Sequence, residues 1–275
     1  MTIKRALISV SNKTGLLDFA KFLHESKIII LSTGGTAKAL RDAGIAVTEV
    51  SDHTEFPEIM DGRVKTLHPK IHGGLLAVRS NEAHKKAMAD HNIETIDLVV
   101  INLYPFEETV AKGTNFETCI ENIDIGGPSM VRSAAKNHEF VTIVTAPSDY
   151  ATVMEEMKEN KNATSPKTRK LLAAMAYSRT AAYDAAISNW FNAQNETPFP
   201  QNLAIAGRLK QPLHYGENPH QKAAFYTAGE ITGTLAGAKQ VRGAELSYNN
   251  LNDASAAFEL VREFNEPAVV IVKHA

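Results

Sequence analysis

Two polar stretches of this 275-residue chain hold side chains whose types and spacing suit anion and acid–base chemistry. The first is Asp61-Gly62-Arg63-Val64-Lys65-Thr66-Leu67-His68-Pro69-Lys70, which sets three cations within eight residues. Its Gly and Pro mark a loop of the kind that carries sites, although a solvated basic loop is the plainer interpretation. His68 and His72 stand four apart, the spacing of a helical metal pair. Pro69 between them argues against a regular helix, and no third ligand has matching spacing, so no metal is expected. The second stretch is Asn122-Ile123-Asp124-Ile125-Gly126-Gly127-Pro128, followed by Arg132, Lys136, Asn137 and His138. Gly-Gly-Pro ahead of a helix leaves backbone N–H groups available to a pocket, which is the makeup of an oxyanion site. Asp124 and Lys136 meet there only if the helix folds back over the site.

Two further turns have the composition of anion sites. Ser9-Val10-Ser11-Asn12-Lys13-Thr14 runs from a strand into a helix, where unpaired N–H groups and the helix dipole favour negative charge. Ser and Thr at such a place are also ordinary helix caps. Ser32-Thr33-Gly34-Gly35-Thr36 is a second strand-to-helix turn, and its glycines permit close approach of backbone to a ligand. A tight turn with no ligand explains it equally well when it is taken alone. Asn102-Leu103-Tyr104-Pro105 ends another apolar strand and places Tyr104 where a sheet presents residues to a ligand; an amphipathic packing tyrosine is the alternative.

The elements that must position these residues follow from periodicity. Lys4–Ser9 reads as a buried strand, Lys13–Ser26 as a helix with Leu16, Leu17, Ala20 and Leu23 on one face, and Lys27–Leu31 as a second strand. Ala37–Ala43 is a helix stopped by Gly44, and Ala46–Val50 a third strand. After the loop Ser51–His72, strand Gly74–Val78, helix Asn81–His91 and strand Ile96–Leu103 are expected. A helix at Ser129–Asn137, a strand at Phe140–Val144 and a helix from Pro147 towards Glu159 complete the alternation. Such alternation predicts an α/β fold with a parallel sheet and helices on both faces. Ser165-Pro166 starts a long helix whose stripe, Leu171, Leu172, Met175, Ala176, Tyr183, Ile187, Trp190 and Phe191, is assigned to core or subunit packing. Pro198, Pro200 and Pro212 among Asn and Gln mark a domain boundary, dividing the chain into 1–195 and 196–275.

Composition removes several function classes. The 29 basic and 31 acidic residues leave a formal charge of −2, and no Lys/Arg run could track a nucleic-acid backbone. The single cysteine, Cys119, excludes an intrachain disulfide framework and reads as a small apolar residue. No apolar stretch suits a signal peptide or a membrane span, so a cytoplasmic protein without a membrane partner is expected.

Taken together, these strings resemble the bifunctional purine-biosynthesis family that unites AICAR transformylase (phosphoribosylaminoimidazolecarboxamide formyltransferase) with IMP cyclohydrolase. The likeness is carried by Ser9–Gly15, Ser32–Ala39, Gly62–Pro69, Asn102–Phe106 and above all Glu121–His138. In the second half it is carried by Tyr215–Gln221, Leu246–Asn250 and Val272–Ala275. The resemblance implies a methylglyoxal-synthase-like, Rossmann-related fold for the first domain, followed by the incomplete start of a cytidine-deaminase-like transformylase domain. It implies closure of formyl-AICAR to IMP, with no cofactor for that step and a homodimeric enzyme. Ser11, Asn12, Lys13, Thr14, Thr33, Gly34, Gly35 and Thr36 would hold the ribose phosphate, Arg63, Lys65 and Thr66 would line the base-side pocket, and Asn102 and Gly127 would be further substrate-binding residues. Lys65 with Tyr104 would handle the oxyanion and a proton, and Asp124 with Lys136 would orient the attacking amide. Backbone N–H groups around Ile125 and Gly126 would complete the oxyanion site.

In the transformylase half, which uses 10-formyltetrahydrofolate as co-substrate, the catalytic Lys-His pair matches Lys273 and His274. His214 and Tyr215 match the AICAR-binding string, but the family usually has Arg where this chain has His214. Imidazole does not reproduce an arginine fork. The family continues beyond the position of Ala275, so formyl transfer is not expected of this segment alone. The competing functions are a regulatory nucleotide-binding module, which needs only the phosphate turns, and a structural subunit, which would leave the polar loops unexplained. The joint presence of Lys65, Tyr104, Asp124 and Lys136 favours the enzyme.

Overall fold

A computed structural model describes residues 2–229 and 231–275. The chain divides into two compact units, Met1–Thr197 and Pro198–Ala275. In the first, β1 (Arg5–Val10), α1 (Leu16–Glu25), β2 (Ile29–Ser32), α2 (Gly34–Asp42), β3 (Thr48–Glu49) and α3 (Val50–Thr54) follow one another directly. Next come α4 (Pro69–Leu76), α5 (Glu82–Asp90), β4 (Leu98–Asn102), α6 (Phe106–Ala111), α7 (Phe116–Glu121) and α8 (Gly126–Lys136). β5 (Thr142–Val144), α9 (Tyr150–Glu159) and the 29-residue α10 (Pro166–Gln194) complete the unit.

The five strands form one parallel sheet in the order β3-β2-β1-β4-β5. From β1 the chain steps one way to β2 and β3, and later the other way through β4 to β5. Right-handed crossovers then put α1 and α8 on opposite faces, so the carboxyl ends of β1 and β4 flank the topological switch point. The central strands are buried on both faces: Ala6, Leu7, Ile8, Leu98, Val99, Val100 and Ile101 are all at most 1% exposed. That double burial explains their continuous apolar runs. Buried Asp97 ties the entry of the sheet together, accepting hydrogen bonds from the Lys4 and Arg5 amides and pairing with Arg79 at 2.6 Å.

Several expected elements change. Gly74–Val78 is not a strand: Pro69–Leu76 is helical, with Pro69 in the first turn and His68 as its cap, accepting from the Lys70 amide at 3.1 Å. Proline is suited to that position because the first-turn N–H has no intrahelical acceptor. The glycines serve packing instead, since a Cβ at Gly74 would stand 2.5 Å from the Glu94 carbonyl oxygen. α2 and α8 each begin about three residues earlier than periodicity indicates, so both glycine pairs lie in first helical turns. The stripe of α10 is only partly internal: Leu172, Ala176 and Tyr183 are buried, whereas Leu171 is 61% exposed. Cys119 is buried, as its apolar assignment requires.

The second unit contains the antiparallel pair β6 (Arg208–Leu213) and β7 (Ala223–Thr227), then α11 (Tyr248–Arg262) with a Ser247 capping box. Among the described residues no helix is long and apolar enough to cross a membrane.

Candidate active site

A cavity of about 700 Å³ opens at the switch point. Its floor is the ends of β1 and β4, where Ser9, Val10, Ile101 and Asn102 line it. Such a cleft, outside the carboxyl ends of parallel strands, is where open α/β sheets bind ligands.

One end is made of backbone. Gly34 and Gly35 line the cavity and form the first turn of α2, where N–H groups lack intrahelical acceptors and the dipole is positive. Gly34 has φ +46°, a conformation that glycine adopts without strain, and Lys13 lines the same cavity. The neighbouring hydroxyls are engaged in holding the turns. Thr36 Oγ1 accepts from the Val10 amide and donates to its carbonyl, each at 3.0 Å, and Thr33 Oγ1 meets Ser9 Oγ at 3.2 Å. Asn102 knits β4 to β1: its Oδ1 accepts from Ser11 N, Asn12 N and Ser11 Oγ at 2.7–2.8 Å, and its Nδ2 donates to the Asn12 carbonyl. Asn12 and Thr14 shape this turn, with the Thr14 amide donating to Asn12 Oδ1, and neither lines the cavity.

The rest of the lining is made of side chains from three loops. The backbone passes through positive φ at Met60, Asp61 and Gly62, an uncommon conformation for the first two. Beyond that bend Arg63, Lys65 and Thr66 line the cavity. A Cβ on either Gly34 or Gly62 would lie 3.5 Å from Lys65 Nζ, so this ammonium reaches back towards the glycine turn. Tyr104 and Asp124 complete the wall. Burial pushes the Asp124 carboxyl above the ordinary value of 3.8, against hydrogen bonds from the Gly127 and Tyr104 amides and the charge of Lys65. Burial, with the Asp124 charge second, also raises the Tyr104 phenol. Asp124 Oδ1 accepts from the Gly127 amide at 2.8 Å, and a Cβ on Gly127 would fall 2.3 Å from Asp124 Oδ2. A Cβ on Gly126 would come within 2.4 Å of Thr66 Oγ1. Both glycines are therefore required by close approach.

Lys136 does not join this group. α8 runs unbroken from Gly126 to Lys136, so the lysine lies at the far end of an 11-residue helix, roughly 16 Å along its axis, and is exposed. The helix does not fold back, and within this chain the pairing of Asp124 with Lys136 is corrected. Glu121 and Phe191, which sequence reasoning missed, line the cavity, and Glu121 pairs with Arg63. Phe191 belongs to a stripe that periodicity assigns to packing, so only its position at the end of α10 distinguishes it. His72 instead meets Ser133 Oγ at 3.2 Å.

In the second unit, hydrogen bonds from His214 N to Leu246 O and from Tyr248 N to Tyr215 O bring two of the motif strings together. His274 Nδ1 stands 3.5 Å from Asp253 Oδ2 and the Ala275 amide donates to Asp253 Oδ1, so the Lys273-His274 string also reaches α11. His214 Nδ1 is 3.8 Å from Glu245 Oε2.

Comparison with known proteins agrees with this architecture. The family model described as the MGS-like domain matches residues 15–129, and that of the AICARFT/IMPCHase bienzyme matches residues 134–275. The bifunctional purine biosynthesis protein PurH of Rhodospirillum rubrum is 61% identical over 275 residues, covering all of this chain and 52% of that protein. PurH of Parvibaculum lavamentivorans is 59% identical over 277 residues, covering 99% of this chain and 51% of that protein. The crystal structure of ForH is 33% identical and aligns with a TM-score of 0.61, covering 69% of this chain and all of that one. The chain thus spans about half the length of the curated relatives it matches. It belongs to the AICARFT/IMPCHase bienzyme family, and carries the MGS-like domain followed by the start of the bienzyme domain.

Proposed function

We propose that the cavity of the first unit closes the pyrimidine ring of formyl-AICAR, giving IMP and water. The observation that carries this reading is that Lys65, Tyr104 and Asp124 line the wall of the cavity that also holds the glycine turn, with Lys65 Nζ beside Gly34. A nucleotide anchored by its phosphate at Gly34, Gly35 and Lys13 would extend its base towards that wall. Ring closure requires the carboxamide nitrogen to attack the formyl carbon while charge develops on the formyl oxygen. Lys65, with N–H groups of the Ile125–Gly126 turn, is suited to stabilise that oxyanion, because preorganised donors act most strongly in a site shielded from water. Asp124, held by the Gly127 amide, is suited to accept a proton from the attacking amide. The departing oxygen takes two protons, one lost by the carboxamide nitrogen through Asp124 and one lost by the formamide nitrogen as its double bond to the new ring carbon forms, and Tyr104 and Lys65 are suited to deliver them as water leaves. This step calls on no cofactor.

The test is conversion of formyl-AICAR to IMP by the purified chain, followed by absorbance. Wild-type protein is expected to turn over, and Lys65→Ala to lose on the order of 10³-fold in kcat with an unchanged melting temperature. An inactive wild-type chain would overturn the function, and a fully active Lys65→Ala protein would remove Lys65 from the mechanism. In the second unit, His214, Tyr215, Lys273 and His274 are assigned on family likeness to the transformylase site for AICAR and 10-formyltetrahydrofolate.

A further inference from the structure

We propose that Tyr183 is a positioning residue for the ring-closure site, a buried brace that fixes Asp124 from behind; this rests on the cyclohydrolase reading above. Tyr183 lies in the middle of α10 and is fully buried. Its hydroxyl accepts a hydrogen bond from the Asp124 amide at 2.8 Å and donates one to the Asn122 carbonyl at 3.2 Å. One oxygen thus closes both ends of the turn that carries Asp124, across a separation of about sixty residues in sequence.

The Gly127 amide holds the Asp124 side chain, whereas the phenol holds the backbone of the turn. Asn122 ends α7, and Asp124 stands before the first turn of α8, so the Asp124 amide falls outside both helices. A half-buried N–H and carbonyl in such a place need partners, and the phenol supplies both. The hydroxyl keeps its proton through the working range, since burial holds its pKa up at about 12, so it remains a donor to Asn122.

The same ring also reaches the Tyr104 segment. Phe106 packs edge-on against Tyr183 with centroids 6.3 Å apart, and the Phe106 amide donates to the Tyr104 carbonyl at 2.9 Å. Tyr183 therefore stands behind two of the three converging groups while touching the cavity with neither edge nor hydroxyl. The function asked of it follows from geometry: a shift of about 1 Å in a catalytic group can lower a rate 100-fold. A tyrosine anchored in a 29-residue helix removes the freedom of a loop that would otherwise wander.

Tyr183→Phe isolates the hydroxyl, because the ring and its packing remain. In the full 275-residue chain, kcat for ring closure is expected to fall about 10-fold, the effect of two backbone groups left unpaired, with KM within about 2-fold of wild type. Amide hydrogen exchange gives a readout independent of activity. The Asp124 amide should exchange at least about 10-fold faster in Tyr183→Phe, while amides of β1 and β4 keep their protection. Unchanged kcat, or unchanged exchange at Asp124, would overturn the brace. So would a loss of protection spread evenly over the sheet, which would make the hydroxyl a support of general stability. If the wild-type chain closes no ring, the functional reading fails, and the exchange result alone decides whether Tyr183 holds the turn.

Discussion

The two ends of the cavity are built by different means. At the glycine end, five consecutive residues, Ser32–Thr36, create the binding geometry by leading a strand into a helix. At the carboxylate end, Tyr104 and Asp124 come from two loops and gain their placement from contacts made far along the chain. The first end is a property of local backbone; the second exists only when the whole unit is packed. Anchoring a phosphate needs N–H groups and a dipole, which any helix start provides. Positioning a carboxylate against a reacting nitrogen needs finer placement, and here that is achieved by close glycine contacts and by the buried Tyr183 of α10.

Substitutions that touch one end and spare the other sharpen this contrast. Gly127→Ala has the largest expected effect of these: its Cβ must displace Asp124 Oδ2, so kcat should fall about 100-fold with KM little changed. Steady-state kinetics decides it, and a preserved kcat would mean that the carboxylate position is not critical. Gly35→Ala addresses the other end. No atom lies within 4 Å of an added Cβ there, so the fold accepts it and helix stability rises by about 0.5–1 kcal/mol. Because Gly35 lines the cavity, the same methyl should raise KM about 10-fold without lowering the melting temperature. An unaltered KM would move the phosphate away from this turn.

The smallest effect concerns pH. Asp124 must be ionised to take a proton, and burial holds its pKa above 3.8, so the acid limb of the kcat profile should fall above that value. The stability linkage has a definite sign. A raised folded pKa means that the contribution of the protonated acid is fully present below 3.8 and is lost as pH rises through the folded value. A rate that holds constant down to pH 3.8 would indicate that the carboxylate is not the base.

This contrast also decides what sequence reasoning could see. β1, β2 and β4 are legible because strands buried on both faces must be apolar throughout. The glycine turn is legible because its function and its geometry share the same few residues. α4 was not, since Gly73-Gly74-Leu75-Leu76-Ala77-Val78 is apolar without a helical period, and only the His68 cap with Pro69 shows where the helix starts. α6 and α7, six residues each, left no periodicity to detect. At the carboxylate end the residues were found by their types, but their partners were not. Lys136 is near Asp124 in sequence and distant along α8, whereas Tyr183 is distant in sequence and bonded to its backbone. Phe191 was hidden because an aromatic residue in a helical stripe has an adequate packing explanation.

The Asn102 side chain has a consequence for how the site comes into being. It gathers Ser11 and Asn12 across about ninety residues, so the turn after β1 acquires its shape only once β4 has docked beside it. Contacts of such long range form late, after the entropy of closing the intervening loop has been overcome. During synthesis the first strand and turn must emerge and wait for Asn102 before they are set. A partly folded chain would therefore lack the shaped turn after β1, and full ligand capture would report that β4 has docked.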